Sequence, residues 1–72
     1  MKKKIAPMWV LEEIKDMLES GVDIYKVNLV RDHLESKSNM RMLEWLLGNR
    51  ELYIYSVLSK QYEHPDFYYA GF

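Results

Sequence analysis

The chain contains no cysteine. That excludes a disulfide framework, a thiolate zinc site and an iron–sulfur cluster, the usual supports of small domains, and it points to a reducing, cytoplasmic setting. With three glycines and two prolines it has no Gly-rich phosphate loop and no low-complexity segment. No uninterrupted apolar run approaches the roughly 20 residues that span a bilayer, so no membrane association is expected. The start Met1-Lys2-Lys3-Lys4-Ile5-Ala6-Pro7 has the charged opening of a signal peptide, but Glu12 and Glu13 cut the apolar stretch behind it, which argues against secretion. An excess of one charge is lacking too. Ten Lys and Arg stand against eleven Asp and Glu, a net charge of −1, so no global field draws the chain to nucleic acid, and any such binding has to be local.

Chemistry-bearing constellations are equally scarce. Ser36, Ser38, Ser56 and Ser59 are possible nucleophilic hydroxyls, but none lies in a nucleophile elbow. His33 and His64 have no second histidine or carboxylate at metal-binding helical spacing; Asp32 adjoins His33, but adjacent helix residues point apart. The expectation is therefore no enzymatic activity, no metal and no cofactor.

What is present is material for a small core. Hydrophobic residues make up 49% of the 72, with two Trp, six Tyr and two Phe, a composition of compact chains and not of disordered ones. The length allows one domain, which at this size hides only about 60% of the surface its unfolded form exposes. Self-association would supply further burial.

Pro7 suits the first turn of a helix, and Val10, Leu11, Ile14, Met17 and Leu18 recur at three- and four-residue spacing, predicting an amphipathic helix over 7–20 closed by Gly21. Residues 1–6 are expected to be flexible. Asp23 is a candidate N-cap for a second helix over 23–35, with Ile24, Val27, Val30 and Leu34 as its stripe. The β-branched run from Val22 to Val30 also permits a strand, but alternation would put Lys26 and Asn28 on the face of Ile24 and Val30. After the polar break Ser36-Lys37-Ser38-Asn39, helices are predicted over 39–47 and 49–62, separated at Gly48-Asn49. The apolar stripe Leu43, Leu47, Ile54, Val57 and Leu58 could also run through Gly48 as one long helix at a cost of about 1 kcal/mol. His64-Pro65 ends the helical region. The fold class is all-α, a compact bundle of three to four short helices with an aromatic C-terminal tail, 63–72, packed on it.

That tail region is the densest chemical feature. Tyr62, Phe67, Tyr68, Tyr69 and Phe72 are half of the chain's aromatics, and such density calls for burial, either on the chain's own helices or against a partner. Tyr53 and Tyr55 flank Ile54, and on a helix the three cannot all face one core. Joined with Trp45, these residues form the candidate protein interface, for another protein or for a homodimer. The competing reading is a nucleic-acid-binding regulator with a helix-turn-helix made by the second and third helices, using Lys2, Lys3, Lys4 and Arg41; the third helix is poor in the polar and basic side chains such a reader needs. Glu12, Glu13, Asp16 and Glu19 give the first helix an acidic outer face, read as solvated, with docking of a basic partner as the alternative.

Overall fold

The computed structural model describes residues 5–63. Among them the chain is all-α: α1 (Met8–Glu19), α2 (Val27–Ser36), α3 (Met40–Gly48) and α4 (Arg50–Leu58). The residues between Val22 and Val30 do not form a strand. One core runs through the molecule, with Val10, Leu11, Ile14 and Met17 from α1, Val30 and Leu34 from α2, Met42, Leu43 and Leu46 from α3, and Tyr53 and Val57 from α4.

Three helices end in the same way. After α1, the Val22 amide reaches back to the Met17 carbonyl and the Gly21 amide to that of Leu18. After α2, Asn39 reaches Leu34 and Ser38 reaches Glu35; after α4, Gln61 reaches Ser56 and Lys60 reaches Val57. This paired closure needs one residue in the left-handed region, where the last carbonyls find donors. Gly21 takes it at φ +88, but Ser38 and Lys60 take it at +56, where a Cβ is strained. Each ending folds the chain sharply back, which is how a chain this short brings successive helices together.

The predicted boundaries need four corrections. The second helix starts at Val27 and not at Asp23, because the Asp23 carboxylate accepts the Tyr25 amide two residues on and the Lys26 amide donates to the Asp23 carbonyl. Asp23 thus builds a turn instead of a cap, and Ile24 enters the core from that turn. The fourth helix stops at Leu58 and not at 62, because the left-handed Lys60 turns the chain and carries Gln61 and Tyr62 inward, where both are buried. Ala6, within the stretch expected to be flexible, is buried, and its amide donates to the Gln61 side-chain oxygen at 3.3 Å. Finally, Leu18 lies outside the core.

The break between α3 and α4 falls where the sequence places it, with Asn49 between them. Its side chain does not cap α4; it donates backward to the Trp45 carbonyl at 2.9 Å and so closes α3. Asn39 does act as an N-cap, accepting the Met42 amide at 3.3 Å while donating to Glu13 of α1 at 3.1 Å. The predicted tail, 64–72, lies outside the described residues.

Candidate protein-interaction surface

The surface is built mainly by α4, and α4 is unusual in its pattern. Leu52, Tyr53, Ile54, Tyr55, Val57 and Leu58 are apolar or aromatic around its full circumference. A helix this apolar on every side is expected to be buried on every side. It is not: Tyr53, Ser56 and Val57 face the core, and the opposite side holds Ile54 at 43% exposure, Tyr55 at 50% and Leu58 at 66%.

A polar anchor decides which side faces inward. The Tyr53 hydroxyl donates to the Ile24 carbonyl at 2.7 Å, satisfying a backbone oxygen that the Asp23 turn carries into the interior. Ser56, also buried, returns its hydroxyl to the Leu52 carbonyl at 2.7 Å, so it enters an apolar layer without an unpaired donor. Tyr53 and Ser56 therefore occupy the inner side, and Ile54 and Leu58 rotate out of the stripe that spacing assigned to them.

Ile54 and Leu58 do not stand alone. With Tyr25, which is 53% exposed, they rim a shallow open pocket floored by Ile24, Tyr53 and Val57. Tyr62 is buried; burial first and the Tyr25 hydroxyl second push the Tyr62 hydroxyl up to about 12. Burial, followed by the nearby Asp23 carboxylate, raises Tyr53 further still. Both phenols are neutral across the physiological range, so the patch carries no charge of its own.

The residues expected at an interface are divided by the structure. Tyr55 is on the outer side of α4. Tyr53 and Tyr62 are buried inside the chain, which corrects their reading as contact residues; Tyr53, bonded to the Ile24 carbonyl, lies beneath the patch. Trp45 is half-buried and packs on the core. Phe67, Tyr68, Tyr69 and Phe72 lie outside the described residues, as do Lys2, Lys3 and Lys4. Tyr25, Ile54 and Leu58 were not singled out as contacts from sequence. A signal for them existed: two apolar stripes, 53/57 and 54/58, run side by side on one nine-residue helix, and a single core covers only one.

The nucleic-acid reading rests on α2, the turn Lys37 to Asn39, and α3, two helices with the size of a helix-turn-helix. The outward line of α3 is Met40, Glu44 and Leu47, all exposed, and two apolar residues around a carboxylate are ill suited to phosphates and base edges. Arg41 lies over the Trp9 ring, 4.0 Å from its centroid, where it ties α3 to α1. On α1, Glu12, Asp16 and Glu19 are exposed, while Glu13 is half-buried beside Asn39. Among the described residues no group of acidic or histidine side chains is arranged to hold a metal, and no helix is long and apolar enough to cross a membrane. Comparison with protein-family models, with curated proteins and with solved structures found no match to this chain.

Proposed function

We propose that the chain is a small protein-interaction module, a regulatory or inhibitory factor in kind, that binds another protein chain through the outer side of α4 together with Tyr25. The observation that carries this reading is the uncovered half of α4. Three large side chains, Tyr25, Ile54 and Leu58, stand around one apolar pocket in a chain whose stability margin is small. Contiguous exposed apolar groups of this kind are retained where a partner covers them. Aromatic and branched aliphatic anchors set beside a pocket suit such a contact, with Tyr55 at the margin.

A photo-crosslinking side chain placed at position 58 of the full chain, and in a parallel sample at Lys15 on the exposed side of α1, tests the reading in the native host. Discrete protein adducts from position 58 and none from position 15 are expected. Equal labelling from both positions, or affinity for nucleic acid that falls steeply with added salt, would overturn it.

A further inference from the structure

We propose that Asn49 is a hinge through which α4 passes to a second copy of the chain: α3 and α4 join into one helix over 40–58, and two copies exchange their α4 helices. What docks on the outer side of α4 does not enter, because the exchange rebuilds the contacts of its inner side. Asn49 alone separates α3 from α4. A helix continued through it would bond the Asn49 amide to the Trp45 carbonyl, four residues back. In the bent chain that amide turns to the Leu46 carbonyl at 3.2 Å, and the Asn49 side-chain amide takes the Trp45 carbonyl at 2.9 Å. The side chain thus stands in for the backbone donor of a joined helix. Beyond the break, the backbone amides of Arg50, Glu51 and Leu52 donate to no described residue, as is usual for a first helical turn. In the joined helix they reach the carbonyls of Leu46, Leu47 and Gly48. Gly48 is already helical, so straightening falls on Asn49, and it exchanges the two hydrogen bonds of the bend for the four of a continuous helix.

Straightening carries Tyr53 and Val57 out of their own core, and a second copy opened in the same way offers the groove they left. The polar contacts concerned reach back across the hinge. The Tyr53 hydroxyl meets the Ile24 carbonyl, and the Gln61 side-chain oxygen meets the Ala6 amide. Ile24 and Ala6 both precede α3, in the part of the chain that stays behind. Because α4 is the last described helix, it can leave one core and enter another without threading a loop. Each contact is then remade between chains, twice over, as a two-fold dimer requires. A connection as short as one residue invites such an exchange.

Refolding the full chain from guanidinium at about 10 μM and at about 1 mM, followed by size-exclusion chromatography with light scattering, tests the hinge. Monomer is expected from the dilute sample and a dimer fraction from the concentrated one. Asn49→Ala removes the side-chain donor that closes the bend and favours helix at the hinge, and it is expected to tighten the dimer about tenfold. Inserting Gly-Gly after Asn49 is expected to abolish the dimer, since the lengthened link cannot run on as helix. In a dimer refolded from equal parts of isotope-labelled and unlabelled parental chain, filtered NMR spectra should show the Tyr53 ring against Ile24 between chains. A monomer under every condition for both the parent and Asn49→Ala, a dimer that survives the insertion, or a Tyr53–Ile24 contact confined within each chain would each overturn the proposal. Circular dichroism melts check that the variants fold, and the isotope filter on the parental chain remains decisive if one does not. Crosslinking from position 58 reads the docking surface separately, so either inference can fail while the other stands.

Discussion

The hydroxyl of Tyr53 donates to the backbone carbonyl of Ile24 at 2.7 Å, across 29 residues of sequence. This contact joins the Asp23 turn to α4 and settles which side of α4 faces the core. Replacing the donor tests its weight. Tyr53→Phe keeps the ring but leaves the Ile24 carbonyl buried without a partner, a cost of about 1–3 kcal/mol. Urea titration should show a lower midpoint with an unchanged slope; a midpoint within error of the parent would mean that ring packing alone sets the orientation.

Alkaline pH acts on the same region. In the folded chain Tyr53 and Tyr62 are both raised above the ordinary value of 10.0, Tyr62 to about 12. Once unfolded, both titrate near 10, so above that pH the unfolded state holds fewer protons and is favoured. Their contribution is complete below about pH 10 and is lost as pH rises through the folded-state values. Thermal melts should be flat in this respect from pH 7 to about pH 9 and fall beyond about pH 10. Tyr62→Phe should make the fall shallower.

The three left-handed helix endings make opposite predictions for glycine. Ser38→Gly relieves a Cβ at φ +56 and should stabilise the chain by about 0.5–1 kcal/mol, even though glycine adds freedom to the unfolded state. Gly21→Ala introduces the strain at φ +88. It should destabilise by about 1 kcal/mol, although a Cβ there meets no atom within 4 Å. For a domain of this size the melting temperature should move by about 4–8 °C per kcal/mol, upward for the first variant and downward for the second.

Asn39 has two roles in one side chain, capping α3 through Met42 and meeting Glu13 of α1. Asn39→Ala should cost about 1–2 kcal/mol. In Asn39→Asp the cap is kept, but a carboxylate faces Glu13 in place of the amide. Its chemical-denaturation midpoint should fall at neutral pH and recover as acid protonates the pair. A loss that is the same at both pH values would show that Glu13 has no part in it.

Local signals determined most of the helical framework. Proline before α1, glycine after it, asparagine between α3 and α4, and apolar spacing along α1 act through neighbouring atoms, so they can be read without knowing what lies across the core. The Asp23 turn was misread because one carboxylate can serve a cap or a turn, and only the need to bury Ile24 decides between them. The left-handed positions of Ser38 and Lys60 carry no mark in their residue types.

The candidate surface is the clearest division. Which residues of α4 are apolar is written in the chain, and their number exceeds what one core can cover. Which of them remain outside is not. The stripe 54/58, an Ile and a Leu, is the more apolar of the two, since Tyr53 carries a hydroxyl, so transfer from water does not account for 53/57 being the buried pair. The choice rests on one long-range hydrogen bond and on room for Ser56 in the interior. Both depend on distances between segments far apart in sequence, and those distances exist only once the helices have packed.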